Sequence, residues 1–292
     1  MVGKKNVRIT ERFFDNNDNP HRRRGMKRKE KHSMDLDRIK RVGIAAAYKG
    51  AEVLRSKFGN ISQARKKGVI DLVTEADTFS EECILQVIRT AFPEHSILAE
   101  ESGQDARDAS LVWIVDPLDG TTNFAHQIGW YAISIAFAVD GEVLVGIVLN
   151  PVTGELFSAT VDDGATCNNH SIRVSSVSNF SDCLLVTGFP YNIRENLEPI
   201  VTRFTRCLSA AQGIRRLGSA ALDLCYVACG RFEGFWEEYL QPWDTAAGVL
   251  IAREAGAHVS DFSGRPHTLA GRETLATNGR IHEEMLKLLQ LP

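Results

Sequence analysis

Hydrophobic positions along the chain change period several times, and each change predicts an element. Met34–Phe58 carries apolar residues at helical spacing and is followed by a polar loop through Gly68; a second helix is expected from about Glu75 to Phe92. Ile97-Leu98-Ala99 and the continuous apolar run Leu111-Val112-Trp113-Ile114-Val115 read as short buried strands. Between Tyr131 and Thr160 apolar runs break at Asp140-Gly141 and Thr153-Gly154, the mark of antiparallel hairpins. From about Ser181 strands alternate with helices near Glu195–Ala210, Ala220–Cys229, Trp243–Ala255 and Arg280–Leu289, and no internal repeat is visible. A boundary near 175–182, in the Ser-rich Ser175-Ser176-Val177-Ser178, divides an N-terminal α+β unit, 34–178, from a C-terminal α/β unit, 179–292.

Residues 1–33 are of another kind. They hold eleven Lys/Arg against four Asp/Glu, about +7, which leaves about −10 for the remainder of a chain whose net charge is −3. Arg22-Arg23-Arg24 and Lys27-Arg28-Lys29 are dense in charge, and the segment lacks the apolar core of a secretory signal. The expectation is a disordered, solvated tail, or an upstream start with Met34 as the natural first residue. The alternative is an arm for RNA or another anionic partner, the one route by which nucleic acid enters. The 292 residues, 43% of them hydrophobic, suffice for one large core or two fused units, and no apolar run is long enough to span a membrane. Six unpaired-looking cysteines and the missing signal point to the cytoplasm. Cys225 and Cys229, one helical turn apart, read as core; Cys83, Cys167, Cys183 and Cys207 show no C-x-x-C pairing.

The chemistry concentrates in Asp116-Pro117-Leu118-Asp119-Gly120-Thr121-Thr122-Asn123-Phe124. Pro117 cannot donate to a ladder, so the preceding strand is expected to stop at Asp116 and to deliver two carboxylates just beyond its end. Gly120 permits a tight turn, and the residues after it suit a helix start whose free N–H groups bind phosphate oxygens. Asp, Pro and Gly are also ordinary turn residues. A chance D-P-x-D-G-[ST] has a frequency on the order of one in a million per start position, which disfavours coincidence. Three further acidic segments accompany it. Glu100-Glu101 follow the Ile97 strand and, on strand alternation, point to opposite faces, with Glu100 toward the site and Glu101 outer or exposed. Asp244 follows Pro242 at a helix start, where an N-cap is the favoured reading of the residue taken alone and a metal ligand the alternative. Thr74 and Asp77 resemble a capping arrangement, with a metal role as the alternative.

Segments Asp71–Asp77, Glu100-Glu101-Ser102, Asp116–Phe124 and Trp243–Gly248 resemble, in order and spacing, the inositol monophosphatase family of magnesium-dependent, lithium-sensitive phosphatases, from about Met34 to the C-terminus. The resemblance implies a layered αβαβα sandwich, a homodimer, and hydrolysis of small phosphate monoesters with two or three Mg²⁺ per subunit, Mn²⁺ being a possible substitute. It makes Glu100, Asp116 and the Leu118 carbonyl ligands of one ion and Asp116, Asp119 and Asp244 ligands of a second. A weaker third ion would lie near Glu100 and Asp77 through waters. Gly120 and Thr121 would give backbone N–H groups to the phosphate, while Gly218, Ser219, Ala220, Glu237, Asp119 and Asp244 would line the substrate. Departures are confined to turns and packing: Ala99, Gly129, His170 and Ala257 stand where other residues are usual.

Oxygen donors alone suit Mg²⁺ or Mn²⁺ and disfavour zinc. The expected mechanism has no phosphoenzyme: Glu100 and the Thr121 hydroxyl orient a metal-activated water that attacks phosphorus in line. His126 is read as structural. Inositol 1-phosphate is the first choice of substrate, because Glu237 suits a polyol; an exposed carboxylate at a strand end is the plain reading of the same residue. A second phosphate would need cations from Lys66, Lys67, Arg194, Arg215 or Arg216. That keeps 3′(2′),5′-bisphosphate nucleotidase and fructose-1,6-bisphosphatase activities open, with histidinol-phosphatase beside them. In a different class stands a docking or RNA-associated regulatory protein on the same fold. For the tail, deletion of residues 1–33 is expected to leave RNA affinity unchanged in a salt-titrated filter-binding assay. A steeply salt-dependent affinity that the deletion removes would instead identify an RNA-binding arm.

Overall fold

Capping residues and buried faces explain where the helices begin and lie. The computed structural model describes residues 34–60, 64–66, 72–105 and 107–291; the basic tail, Lys67, Ile70, Asp71 and the side chain of Lys66 lie outside it. Helix α1 (Leu36–Lys57) starts at Asp35, whose carboxylate accepts the Arg38 N–H at 2.8 Å. Short strands β1 (Ala64–Lys66) and β2 (Leu72–Thr74) pair antiparallel, and β2 runs directly into α2 (Glu75–Ala91). Both long helices occur where the helical spacing places them.

The larger sheet follows. Strands β3 (His95–Ala99), β4 (Gly103–Asp105), β5 (Asp108–Asp119), then after the short helix α3 (Thr121–Ala125), β6 (Ala132–Val139), β7 (Glu142–Leu149), β8 (Leu156–Thr160), β9 (Gly164–Cys167) and β10 (His170–Ser171) form it. Their order is β10-β9-β8-β7-β6-β5-β3-β4. The β6–β7 hairpin turns at Asp140 (φ 49°) and Gly141 (φ 82°), the left-handed pair a two-residue turn requires. Strand β5 does not stop at Asp116. It continues through Pro117 to Asp119, because its ladder with β6 passes from Asp116↔Ser134 directly to Asp119↔Ala132. One extra residue on β5 makes a bulge there, and Pro117, lacking an N–H, falls in the unpaired stretch.

A second sheet contains β11 (Leu184–Thr187), β12 (Gly213–Arg215), β13 (Gly234–Glu238), β14 (His258–Ser260) and β15 (Glu273–Thr277), ordered β12-β11-β13-β15-β14. Between them run α4 (Leu197–Ala210), α5 (Ala220–Ala228) and α6 (Pro242–Glu254), and α7 (His282–Leu289) closes the chain. Strand alternation sorts the layers. Trp113, Val115, Ile133, Ile135 and Phe137 pack with α1 and α2, whereas Val112, Ile114, Ala136 and Ala138 pack with α5 and α6. On the second sheet Val186, Phe235 and Ala276 join that same α5/α6 core, while Leu185, Trp236 and Leu275 pack with Cys207, Met285 and Leu289 of α4 and α7. The result is α1/α2, sheet, α5/α6, sheet, α4/α7: the expected αβαβα sandwich. Cys225 is buried in its central layer, and none of the six cysteines forms a disulfide. Among the described residues no helix is long and apolar enough to cross a membrane.

One buried polar network outside the central layer has a consequence for stability. His282 is 1% exposed and its ring stacks on His258 at 3.7 Å. Ser260 Oγ donates to the Asp261 carbonyl at 2.6 Å, so it accepts from His282 Nε2–H at 2.9 Å, and Nδ1 accepts the Thr277 hydroxyl at 2.9 Å. The ring is therefore a neutral Nε2–H tautomer. Burial first, then the His258 charge, lowers its pKa to about 4. In the unfolded chain the same group titrates near 6.5. The unfolded state thus binds more protons between these values, and the stability His282 contributes is complete above the unfolded pKa and is lost as pH falls toward the folded one. The guanidinium unfolding midpoint is expected to drop between pH 7 and pH 5 by more in the parent than in His282→Gln; equal pH dependence would remove His282 from this role.

Candidate active site

The β5 bulge determines what the site contains. Asp119 lies three positions after Asp116, so a regular strand would point them to opposite faces. Their partners Ser134 and Ala132 are two apart and share a face, so the bulge turns both carboxylates toward α5 and α6. Asp116 is 2% exposed and accepts the Leu118 N–H at 2.9 Å. The loop is held from behind by Ser80 Oγ of α2, which donates to the Pro117 carbonyl at 3.0 Å. Strand β3 runs parallel beside β5, with Ala99 opposite Val115, and the Glu100 N–H donates to the Val115 carbonyl. This places Glu100 next to Asp116. Glu100 and Glu101 lie in a turn after β3 rather than on it, so strand alternation does not separate them. The turn is fixed by Glu81, whose carboxylate accepts the N–H groups of Glu101 and Ser102 at 2.9 and 2.8 Å.

Two helix starts complete the acidic group. Asp244 is the third residue of α6, not its N-cap, and accepts the Gln241 N–H at 2.7 Å. Ser134 Oγ donates to the neighbouring Trp243 carbonyl at 3.0 Å, fixing that helix end against the face that carries Asp116. Asp77 forms the capping box at the start of α2: one carboxylate oxygen accepts the Thr74 N–H at 2.8 Å and hydroxyl at 2.6 Å. Its other oxygen accepts the Thr121 hydroxyl at 3.0 Å. Asp77 is fully buried and reaches the site through that hydroxyl.

Electrostatics mark the acids as one unit. Burial, then the charges of Glu100, Asp119 and Asp244, holds the Asp116 carboxyl well above the usual range. Asp244 is raised likewise by burial and then by Asp119, against the opposing Gln241 N–H, with Glu100 and Glu237 adding. Burial pushes Asp119 up to about 6, although Ser219 Oγ (2.6 Å) and the Ala221 N–H (2.8 Å) donate to it. Carboxylates packed against one another ionise only if a cation compensates. No group of three or more acidic, imidazole or thiol side chains among the described residues forms a preformed metal cage. The donor set suits Mg²⁺ nonetheless, because that ion uses few carboxylates and completes its shell with carbonyls, waters and substrate phosphate.

Beside the acids, Gly120 adopts φ 103° and leads into α3, whose first residue Thr121 is buried. A Cβ on Gly120 would stand 3.1 Å from the Trp130 carbonyl and 3.2 Å from that of Gly218, so glycine serves both the turn and the close approach. Across this contact, Gly218 (φ 89°) precedes Ser219 and Ala220 at the start of α5. Glu237 on β13 is 9% exposed, which overturns the exposed-carboxylate reading. Burial lifts its carboxyl to about 8, Arg216 opposes, and Asp119 adds. Of the suggested cations among the described residues, only the exposed Arg216 acts on Asp119, Asp223 and Glu237; Lys66 and Lys67 lie outside the described side chains. His126 is exposed after α3.

The profile of the inositol monophosphatase family matches residues 35–291. The chain belongs to that family. It is 46% identical over 242 residues to a Synechocystis inositol-1-monophosphatase, covering 82% of this chain and 84% of that one. The Escherichia coli K12 protein named Nus factor SuhB is 38% identical over 248 residues, covering 84% and 93%. The crystallised inositol monophosphatase from Anabaena superposes with a TM-score of 0.81 at 40% identity, covering 89% of this chain and 98% of its own. Membership makes the chain a phosphatase by class.

Sequence reasoning missed Glu81 and Asp223. Glu81 lies one turn after Asp77 on the buried face of α2, where an acid among apolar neighbours was the available signal. Asp223 is 1% exposed within the apolar α5, with both oxygens lacking a hydrogen-bond partner and its carboxyl held well above the usual range by burial and by Glu237. For Glu81, replacement by alanine orphans two turn N–H groups and is expected to lower unfolding free energy by roughly 1–3 kcal/mol. Glu81→Gln, which keeps an acceptor, should recover part of that loss in urea titrations.

Proposed function

We propose that the chain is a Mg²⁺-dependent phosphomonoesterase whose substrate is inositol 1-phosphate, hydrolysed to inositol and phosphate by water. The observation that carries this reading is the convergence of buried Asp116 with half-buried Asp119 and Asp244 on one face, within the field of Glu100 and beside the Gly120–Thr121 turn. Glu100, Asp116, the Leu118 carbonyl, Asp119 and Asp244 are the groups that would hold the cations. When bound, these ions would supply Lewis acidity that acidifies a water nucleophile and balances charge on the leaving oxygen.

The remaining work falls to the chain itself. The N–H groups of Gly120 and Thr121 receive phosphate oxygens. Thr121 donates its hydroxyl hydrogen toward Asp77 and the Leu118 carbonyl at 3.0 and 3.1 Å, so it takes a proton from the attacking water only as it passes its own to Asp77. Asp77 therefore both holds Thr121 in that orientation and receives the relayed proton. Burial raises the Asp77 carboxyl despite the hydrogen bonds from Thr74 and Thr121, so it is a better proton acceptor than a free aspartate. Glu237, buried and within the field of Arg216 and Asp119, would meet the hydroxyls of a polyol. Arg216, acting on the same acids, would favour a further anionic substituent and hence a bisphosphate substrate.

A second role is favoured by the Nus factor name of relatives at 38–40% identity, and an RNA or transcription-machinery contact is compatible with an active phosphatase. Assay of a panel of phosphate esters with Mg²⁺, with and without lithium, tests the first reading. Inositol 1-phosphate should be the best substrate, and Asp116→Asn should lower kcat by roughly 10³-fold or more while the metal-free melting temperature holds or rises, because the amide needs no protonation to be buried. Near-normal turnover by that variant, or inactivity of the parent on every ester, would defeat it.

A further inference from the structure

The phosphate turn and the alcohol-side segment belong to different halves of the chain, and one neutral side chain joins them. Asn123, the third residue of α3, is 8% exposed. Its carboxamide nitrogen spends one hydrogen on the Trp130 carbonyl at 2.7 Å and the other on the Leu217 carbonyl at 2.8 Å. Leu217 immediately precedes Gly218, Ser219 and Ala220. A Cβ on Gly218 would stand 3.1 Å from the same Asn123 nitrogen, while the Gly218 carbonyl lies against Gly120. Gly218 thus stands between Asn123 and Gly120 at the joint.

We infer that Asn123 is a positioning residue: its two amide hydrogens clasp the phosphate-binding turn to the 217–220 segment and so fix the spacing between the two halves of the substrate pocket. This rests on the functional reading above, which places phosphate at Gly120–Thr121 and the alcohol at Gly218–Ala220. The segment has a second tie, from Ser219 Oγ and the Ala221 N–H to Asp119. Asp119 is an acid and a candidate metal ligand, whereas the Asn123 tie joins neutral groups through both amide hydrogens. The residue type follows from the demand for two donors to two carbonyls at short reach. Aspartate offers no donor and sets a charge against both oxygens, serine offers one, and alanine none.

Asn123→Ala and Asn123→Ser test the clasp, each followed by kinetics at saturating Mg²⁺ and by amide hydrogen exchange on the metal-free protein. In Asn123→Ala, kcat/KM for inositol 1-phosphate should fall by about 10²-fold, the scale set by misplacing a reacting group by an ångström. For methyl phosphate, which makes no alcohol-side contacts, the loss should be small, and inhibition by inorganic phosphate should be unchanged. Exchange at residues 218–222 should quicken while β6 stays protected, and Asn123→Ser should fall between parent and alanine in every readout. Equal proportional losses for both esters would mean general destabilisation and overturn the inference, as would unchanged exchange at 218–222. If the parent hydrolyses neither ester, the functional reading falls and exchange alone decides the clasp: faster exchange at 218–222 sustains it, and unchanged exchange ends it.

Discussion

Carboxylates forced onto one face of a sheet repel one another, and this repulsion organises the molecule. The single extra residue of the β5 bulge turns Asp119 to the same side as Asp116, where the fields of Glu100 and Asp244 already act. Left in water these groups would ionise near the ordinary carboxylate range; here burial holds Asp116 and Asp244 well above it. Such an arrangement is costly to the folded state and is tolerated because the surrounding scaffold is stable without it.

The scaffold's contribution is hydrogen bonding by backbone N–H groups, hydroxyls and Glu81, together with apolar packing. Thr74 and Gln241 give their N–H groups to Asp77 and Asp244, Glu81 accepts the two N–H groups of the Glu100 turn, and Ser80 and Ser134 tie down the Pro117 and Trp243 carbonyls. Each acid therefore arrives on a rigid element with its own position settled by local chemistry, before any ion or substrate is present. The central α5/α6 layer, packed against both sheets, brings those elements to one joint. This is the preorganisation that phosphoryl transfer by positioning and charge compensation requires.

The joint has a division of labour. The acid Asp119 is tied by Ser219, while the neutral Asn123 carboxamide clasps the two sides of the joint. Arg216, exposed yet acting on Asp119, Asp223 and Glu237, brings a cation of the chain's own to the acidic pocket. The orphaned Asp223 carboxyl behind it marks α5 as more than packing.

Local pattern alone determined the helices α1 and α2, the β6–β7 hairpin and the identity of the acid-rich motifs. Hydrophobic period, capping residues and left-handed turn positions act over a few neighbouring residues and leave their mark on the chain itself. The family resemblance, carried by those motifs, implied the sandwich and a candidate ligand set. Tertiary structure decided the rest. A proline rule applied locally ends β5 at Asp116, yet pairing with β6 carries the strand through a bulge, because β6 supplies the ladder that the proline cannot. Alternation applied to Glu100-Glu101 fails because Glu81, nineteen positions earlier, bends that pair into a turn. The burial of Glu237 and the reach of Asn123 to Leu217 depend on elements distant in the chain meeting at one joint. Whether a carboxylate lies in water or among its own kind is a property of packing, and only the folded chain fixes it.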